Sequence, residues 1–539
     1  MGYQAFIVSS LNPTPTHHLH GQAFSGIDLV MGNEGYADFR RDRGRTIEPG
    51  EDGSYIVVGK SGSETVIGTD FAGYRKMFLY RHGDSWAISD SLIDLARFAF
   101  SHGLPVTISK PHLSTFFIAS DFGQQLASLQ TSVAQIQLVP ATYEIAFDTS
   151  RGNSLKLRRT KAASAPLPDR YDQAMHDYMR TWVGRSATLL QSDVLVRCDI
   201  TGGRDSRAVL ALLFAALRRY GGSVSDLAMV SDVGRPVDLK VANPIADRFG
   251  FKLNKRPWEV ADTHYDVPTA YAVWKSLCLG VYMPPYIPTG APNPSIIFLD
   301  GSGGEGHRPF YPEITPEAFV DSQAKFITDG DDYRALKDSI LADINKLKAG
   351  QEETIHPLVI HYRHFRDRCH GGRSSQFHFT ASPLSSALLR NAFPLCAKEK
   401  SDRAQVLTDI LINGDRELAM MAYDKPEKLP DERNLADVID ASGAIASANI
   451  DGRIFQSGLP ASAPSEPRRA DLLSMMRDDV LRHQNTVAQS GYLPSDYVER
   501  GVEAVELALA NGSFRGDDPV DAIPAVHVIL AGELLALSR

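Results

Sequence analysis

Between Val196 and Arg207 the chain reads Val-Arg-Cys-Asp-Ile-Thr-Gly-Gly-Arg-Asp-Ser-Arg, an apolar strand that breaks at two glycines and resumes as a helix. Glycines there let backbone N–H groups turn toward a ligand, and a helix N-terminus adds unpaired donors and the positive end of a dipole. The local chemistry is that of an anion site. Gly202 and Gly203 allow close approach, and Thr201 and Ser206 add hydroxyl donors. Asp205 would repel a bare phosphate, so it calls for a divalent cation between acid and anion. Neither the Walker A pattern nor the GxGxxG dinucleotide fingerprint is present. The same residues also suit an ordinary turn in which Asp and Ser cap the helix.

The surroundings of this loop read as α/β. Val194–Val196, Leu227–Val230 and Ile296–Leu299 are short apolar strands. Arg207–Arg219 and Asp238–Phe249 are helical segments between them, the second closed by Gly250. Such alternation predicts a parallel sheet with helices on both faces and ligands at the carboxyl ends of its strands. Residues 1–163 read instead as mostly β, with Ser54–Val58, Thr65–Ile67 and Ser85–Ser89 as strands between Gly, Asp and Asn turns. Ala162–Pro168 reads as a linker, and Tyr171, Met175, Tyr178, Met179 and Trp182 mark a helix after it. From Pro357 the chain reads as helical, with Ala470–His483, Asp496–Ala510 and Ala522–Leu537 the clearest segments. The expected organisation is a β-rich domain over 1–163 and an α/β domain with a helical C-terminal part over 164–539.

Charge and cysteine usage narrow the function classes. Lys plus Arg is 56 against 65 Asp plus Glu, a net charge of −9, which argues against a bulk grip on nucleic acid. Cys198, Cys278, Cys369 and Cys396 are scattered, so neither a disulfide framework nor a cysteine zinc site is expected. The longest apolar run, Ala208–Leu217, is half a membrane span, and the opening residues lack the pattern of a signal peptide. The expectation is a cytoplasmic protein that binds neither membrane nor nucleic acid.

Thr201-Gly-Gly-Arg-Asp-Ser206 resembles the SGGxDS pyrophosphate loop of the N-type ATP pyrophosphatases. Leu299-Asp-Gly301-Ser302-Gly303-Gly304-Glu305 is similar to the glycine-rich acidic loop of the asparagine synthetase branch, with Glu305 at the position of the acid that helps hold magnesium. Thr69–Ser91, with Asp70, Gly73, Tyr80, Gly83 and Asp90, is similar to the β-rich glutaminase-type domain that precedes it. The chain thus resembles asparagine synthetases, β-lactam synthetases and lasso-peptide cyclases, which activate a carboxylate as an acyl-adenylate and then form an amide. The resemblance implies a glutaminase-like, Ntn-type N-terminal fold and an adenine-nucleotide α-hydrolase-like synthetase fold. ATP and Mg²⁺ are the implied cofactors. Asp205 and Glu305 would hold the metal. Thr201, Gly202, Gly203, Ser206, Gly301, Gly303 and Gly304 would hold pyrophosphate, and the backbone at Val230 and Ser231 would meet the adenosine. The expected partners are a small-molecule or peptide carboxylate and an amine acceptor; a homodimer is allowed.

Three departures refine the reading. Glutamine-dependent members carry a nucleophilic cysteine at the mature N-terminus, whereas this chain reads Met1-Gly2-Tyr3 with no cysteine before Cys198. That favours an amine acceptor or an intramolecular cyclisation over use of glutamine. Ser302 stands where asparagine synthetases tend to have Glu and β-lactam synthetases Tyr, and a serine is a poor base by itself. A late lysine near the adenylate is expected from the family, and Lys425 is the first candidate, with Lys428 the other lysine of that region. The alternatives are an ammonia-using amidating enzyme for a sugar acid or amino acid, a tRNA-modifying relative, and a catalytically degenerate nucleotide-binding scaffold.

Two further clusters stand out. His361–Arg373 is dense in His and Arg and reads either as a guanidinium cluster for a phosphate or substrate carboxylate or as an amphipathic helix with a solvated charged face. His17, His18 and His20 read as a surface loop.

Overall fold

A computed structural model describes residues 5–12, 14–118, 121–148, 155–323, 327, 329–348, 353–514 and 519–538. Its strands are β1 (Ile7–Ser9), β2 (His18–Ser25), β3 (Asp28–Met31), β4 (Gly53–Ser61), β5 (Glu64–Thr69), β6 (Phe78–His82), β7 (Ser85–Ser89), β8 (Ile136–Leu138), β9 (Tyr143–Phe147) and β10 (Lys156–Arg159) in the first part. Then follow β11 (Leu195–Asp199), β12 (Ala228–Val230), β13 (Ile296–Leu299), β14 (Thr380–Ala381) and β15 (Ile454–Gln456).

The first part holds two antiparallel sheets, β1-β7-β6-β8 and β10-β9-β5-β4-β2-β3, the second extended by β15 in parallel with β3. The strands predicted at Ser54–Val58 and Thr65–Ile67 pair as β4 and β5 across a tight hairpin in which Gly62 takes φ +63. Ile56, Val58, Ile67 and Ile145 of the larger sheet pack on Val8, Leu79 and Ile88 of the smaller. Outside them, the helix Gly32–Arg43 covers the larger sheet through Tyr36 and Phe39, and Leu92–Ser101 covers the smaller. The order is helix, sheet, sheet, helix.

The middle part is the predicted parallel sheet, in the order β12-β11-β13-β14. Arg204–Tyr220 is a run of strong helix formers closed by Gly221 at φ +81, and Pro236–Phe249 opens on a proline and closes on Gly250 at φ +77. Tyr171–Leu190 starts where the periodicity placed it and packs Trp182 edge-on against Phe24 of β2. The stretch expected to be a linker contains a single helical turn, Lys161–Ser164, capped by Thr160.

The C-terminal part is helical. Arg469–Ser490, Ser495–Asn511 and Ile523–Leu537 pack together and share one core with Phe78, Leu92 and Trp274. The late segment also supplies β15, so residues from both halves build both the antiparallel sheet and the largest core. No helix among the described residues is long and apolar enough to cross a membrane. The four cysteines are buried and free. Met1, Gly2 and Tyr3, on which the reading of a missing nucleophile turns, lie outside the described residues.

Candidate functional site

The carboxyl ends of β11, β12, β13 and β14 lead into Thr201–Ser206, Ser231, Asp300–Glu305 and Ser382 on one edge of the parallel sheet. The first loop is shaped by its own hydroxyls. Thr201 N–H donates to Ser206 Oγ at 3.1 Å, the two hydroxyls lie 3.0 Å apart, and Gly203 N–H points to Thr201 Oγ1 at 3.3 Å. Gly202 N–H donates to Asp238 Oδ1 at 2.8 Å. The N–H groups of Gly202 and Gly203 thus have protein partners, whereas the sequence reading had them turned to a ligand. At the first turn of the helix Arg204–Tyr220, Gly203 is the cap and no side chain takes its place.

The acid loop folds onto this one because its glycines have no side chains. A Cβ on Gly301 would stand 2.9 Å from Asp205 Cβ and from Ser206 N, and one on Gly304 would collide with Asp205 Oδ1. Gly303 takes φ +92 and packs on Ser385. The loops are therefore in van der Waals contact, with Asp205 between them.

Asp205 and Glu305 share one neighbour. A single nitrogen, Arg308 Nη2, lies 3.1 Å from Asp205 Oδ2 and 3.5 Å from Glu305 Oε1. Tyr362 Oη donates to Glu305 Oε2 at 3.0 Å. Asp205 Oδ1 is buried and has no hydrogen-bond partner. Burial holds the Asp205 carboxyl above the usual range; Glu305 adds to this, while Arg308 and Lys428 oppose it. Two carboxylates about one positive nitrogen, with a lone oxygen to spare, suit a divalent cation completed by phosphate oxygens and water. Among the described residues no group of three or more His, Cys, Asp or Glu is placed to hold a metal.

Asp300, the first residue of the acid loop, accepts Ser302 N–H at 3.1 Å, Ser382 Oγ–H at 2.7 Å and Ser374 Oγ–H at 3.3 Å. Burial pushes its carboxyl up to about 6 against these donors. Ser302 Oγ donates to Gly371 O at 3.3 Å. Gly303 N–H donates to Asp367 Oδ1, and Asp367 Oδ2 pairs with buried Arg390 at 2.8 Å.

Of the remaining expected residues, Ser231 Oγ is buried without a partner at the end of β12, while Ser231 N–H donates to Asn254 Oδ1 and Val230 O accepts from Ile200 N–H. The Lys425 side chain is exposed, and no described residue pairs with it. Lys428 is the lysine brought to the loop. It pairs with Asp424 at 2.8 Å, Asp424 N–H donates to Gly202 O, and Arg204 holds the carbonyls of Glu427 and Lys428.

The His/Arg segment is neither a solvated face nor an open cluster. His361 is buried against Ala127 O; Arg363 holds Gly306 O; Arg366 holds Gln124 and Gln125; Arg368 holds the carbonyls of Gly73 and Val139. The stretch Tyr362–Asp367 is a π-helical turn, which brings these side chains inward. His18 and His20 lie on β2 rather than in a loop, and His20 Nε2 is 2.8 Å from Asp90 Oδ2. Sequence reasoning missed Arg308, Asp238, Asp300, Tyr362 and Asp367. Asp300, inside the Leu299–Glu305 motif, and Arg308, three residues after Glu305, were within reach.

Against known proteins, the chain matches no protein-family model and no curated protein sequence. The fold and site define a mixed α/β protein in which two glycine-rich loops bring an acid each to the strand ends of a parallel sheet.

Proposed function

We propose that the chain is an ATP-dependent, AMP-forming carbon–nitrogen ligase of the asparagine synthetase-like kind, one that activates a carboxylate and couples it to an amine without glutamine. The observation that carries the reading is Asp205: a half-buried carboxylate with one buried, unpartnered oxygen, pressed between two glycine-rich loops and joined to Glu305 through one cationic atom. Arg308 compensates Oδ2, but leaving Oδ1 buried without a partner costs on the order of 1–3 kcal/mol, which a bound cation would offset. The helix–sheet–sheet–helix order of the first part supports the glutaminase-like half of the reading, and the parallel order β12-β11-β13-β14 supports the nucleotide-binding half.

In this reading Asp205 and Glu305 would hold Mg²⁺, which would supply charge screening for the phosphates and for the leaving pyrophosphate. The first turn of Arg204–Tyr220 offers its free N–H groups to the phosphate chain. Ser231 Oγ, buried and unpartnered, is placed to accept or donate at the adenosine. A substrate carboxylate oxygen attacks the α-phosphorus and pyrophosphate leaves. The amine then attacks the acyl carbon and AMP leaves. The proton released by the amine needs an acceptor, and Asp300, with a carboxyl near 6 and in contact with Ser302, has the affinity for it near neutral pH. Lys428 takes the role first given to Lys425, because it is the lysine that stands beside Asp205.

The test is product analysis. Incubation with Mg–ATP and a panel of carboxylates, with hydroxylamine as a general nucleophile, is followed by ³¹P NMR. AMP and pyrophosphate in equal amounts, dependent on one carboxylate, are expected. ADP and orthophosphate would contradict the reading.

A further inference from the structure

The turn Gly371–Gln376 touches the acid loop twice, through Gly371 O on Ser302 and Ser374 Oγ on Asp300. Between those contacts it carries Arg373. Arg363, Arg366 and Arg368 are committed to protein oxygens, but Arg373 forms no ion pair among the described residues. Its Nη1 donates to Tyr282 Oη at 3.2 Å, and its buried Nε has no partner. The guanidinium lies over two rings, 5.4 Å from the centroid of Tyr282 and 4.0 Å from that of Tyr286. Tyr286 in turn contacts Phe377, and it lines a cavity of about 530 Å³ whose walls are mostly apolar, with Ile287, Leu472, Leu473 and Phe514, and also carry Thr289, Glu466 and Arg469.

Aromatic faces stabilise a guanidinium without using its N–H donors. The donors of Arg373 beyond Nη1 are thus left for an anion, and among the described residues no carboxylate pairs with them. Nearby His370, whose Nδ1 lies 2.7 Å from Tyr282 Oη, is held below its ordinary value by desolvation and by the guanidiniums of Arg366 and Arg373. A cationic fork beside a mostly apolar cavity, in which Arg469 stands with Glu466, has the composition of a site for an amphiphilic acid.

We propose that Arg373 and the cavity beside Tyr286 form the subsite for the acid substrate, and that this substrate is a carboxylate with an aromatic or branched aliphatic body. The guanidinium takes the carboxylate and the cavity takes the apolar body. That the bound acid is the one activated rests on the ligase reading; the binding site itself does not.

The experiment uses the full chain and two probes, 1-naphthylacetate and its neutral isostere 1-naphthylacetamide, titrated by ligand fluorescence. The acid should bind about tenfold more tightly than the amide, the ratio expected of a charge-assisted pair. Arg373→Gln should bring the two to the same affinity. Thr289→Trp, which fills the cavity and leaves the guanidinium alone, should weaken both together. Thermal unfolding of each variant reports that it is folded. Equal binding of acid and amide by the native chain, or an unchanged preference in folded Arg373→Gln, would overturn the proposal. Mg–ATP affinity measured in the same samples separates the two readings: its absence with the acid preference intact removes the ligase and leaves the subsite, and the converse removes the subsite alone.

Discussion

The hydroxyl of Tyr74 donates to Asp367 Oδ1 at 3.1 Å, and that same oxygen takes the N–H of Gly303. One carboxylate thus ties a loop of the antiparallel half to the acid loop of the parallel sheet. Around it Lys76 Nζ donates to Gly372 O, Arg368 to Gly73 O and Ser54 Oγ to Ser375 O, so the first half holds the segment that runs behind the candidate site. Tyr74→Phe should cost about 1 kcal/mol, the net worth of one hydrogen bond. Asp367→Ala should cost about 3–5 kcal/mol, because it leaves Arg390 buried and unpaired. Urea midpoints of the two variants check the ranking.

The glycines around Asp205 make unequal demands. Gly304→Ala would drive a methyl into Asp205 Oδ1, whereas at Gly203, with φ −85, a methyl would only touch Thr201 Oγ1 at 3.4 Å. Gly304→Ala is expected to abolish Mg–ATP binding in a protein that still unfolds cooperatively, and Gly203→Ala to retain binding. Calorimetric titration of both variants, beside thermal melts, decides the point.

Arg308 occupies the position between the acids that the proposed cation would take. Arg308→Gln should lower stability in metal-free buffer by about 1–2 kcal/mol, the worth of hydrogen bonds to a partly exposed charge. Magnesium should then raise the melting temperature more in the variant than in the native chain. A variant indifferent to magnesium would remove Asp205 and Glu305 as a cation site.

Asp300 gives a pH signature. Its folded carboxyl is raised to about 6 by burial, above the ordinary value of 3.8. The stability it contributes is fully present below the ordinary value and is lost as pH rises through about 6. The span is on the order of 2–3 kcal/mol at 1.36 kcal/mol per pK unit. Asp300→Asn, which cannot ionise, should therefore lose less stability than the native chain between pH 4 and pH 7. Urea melts at both values measure that difference.

The phosphate-loop turn exchanges the roles expected of two lysines. Lys425→Ala should leave Mg–ATP affinity unchanged, while Lys428→Ala, which also frees Asp424 beside Gly202, should weaken it about tenfold, a loss of 1.4 kcal/mol. The same titration reads both.

What the sequence made legible follows periodicity and glycine. The helices at Tyr171, Pro236, Ser495 and Ile523 and the strands β4, β5, β7, β11 and β13 fall where the sequence pattern put them, to within a few residues, while the helix from Arg469 starts as expected but runs on to Ser490, seven residues past His483. The meeting of Thr201–Ser206 with Asp300–Glu305 followed from both loops leaving parallel strand ends. Long-range pairings stayed hidden. Nothing local in Tyr-Arg-His-Phe-Arg-Asp says that a π-helical turn buries Asp367 under Gly303 or aims Arg366 at Gln125. Lys425 and Lys428 differ by three residues, and only the fold of the turn, held by Arg204, decides which one reaches the loop. β15 carries too few residues for a strand signal, and its partner β3 lies more than four hundred residues earlier.

The most direct test of the central claim is calorimetric titration of Mg–ATP into the native chain and into Asp205→Ala. The account predicts micromolar binding, on the order of 8 kcal/mol, by the native protein and none by the variant, with both folded. Equal affinity in the two would contradict it, because the phosphate site would then not depend on the carboxylate around which both loops close.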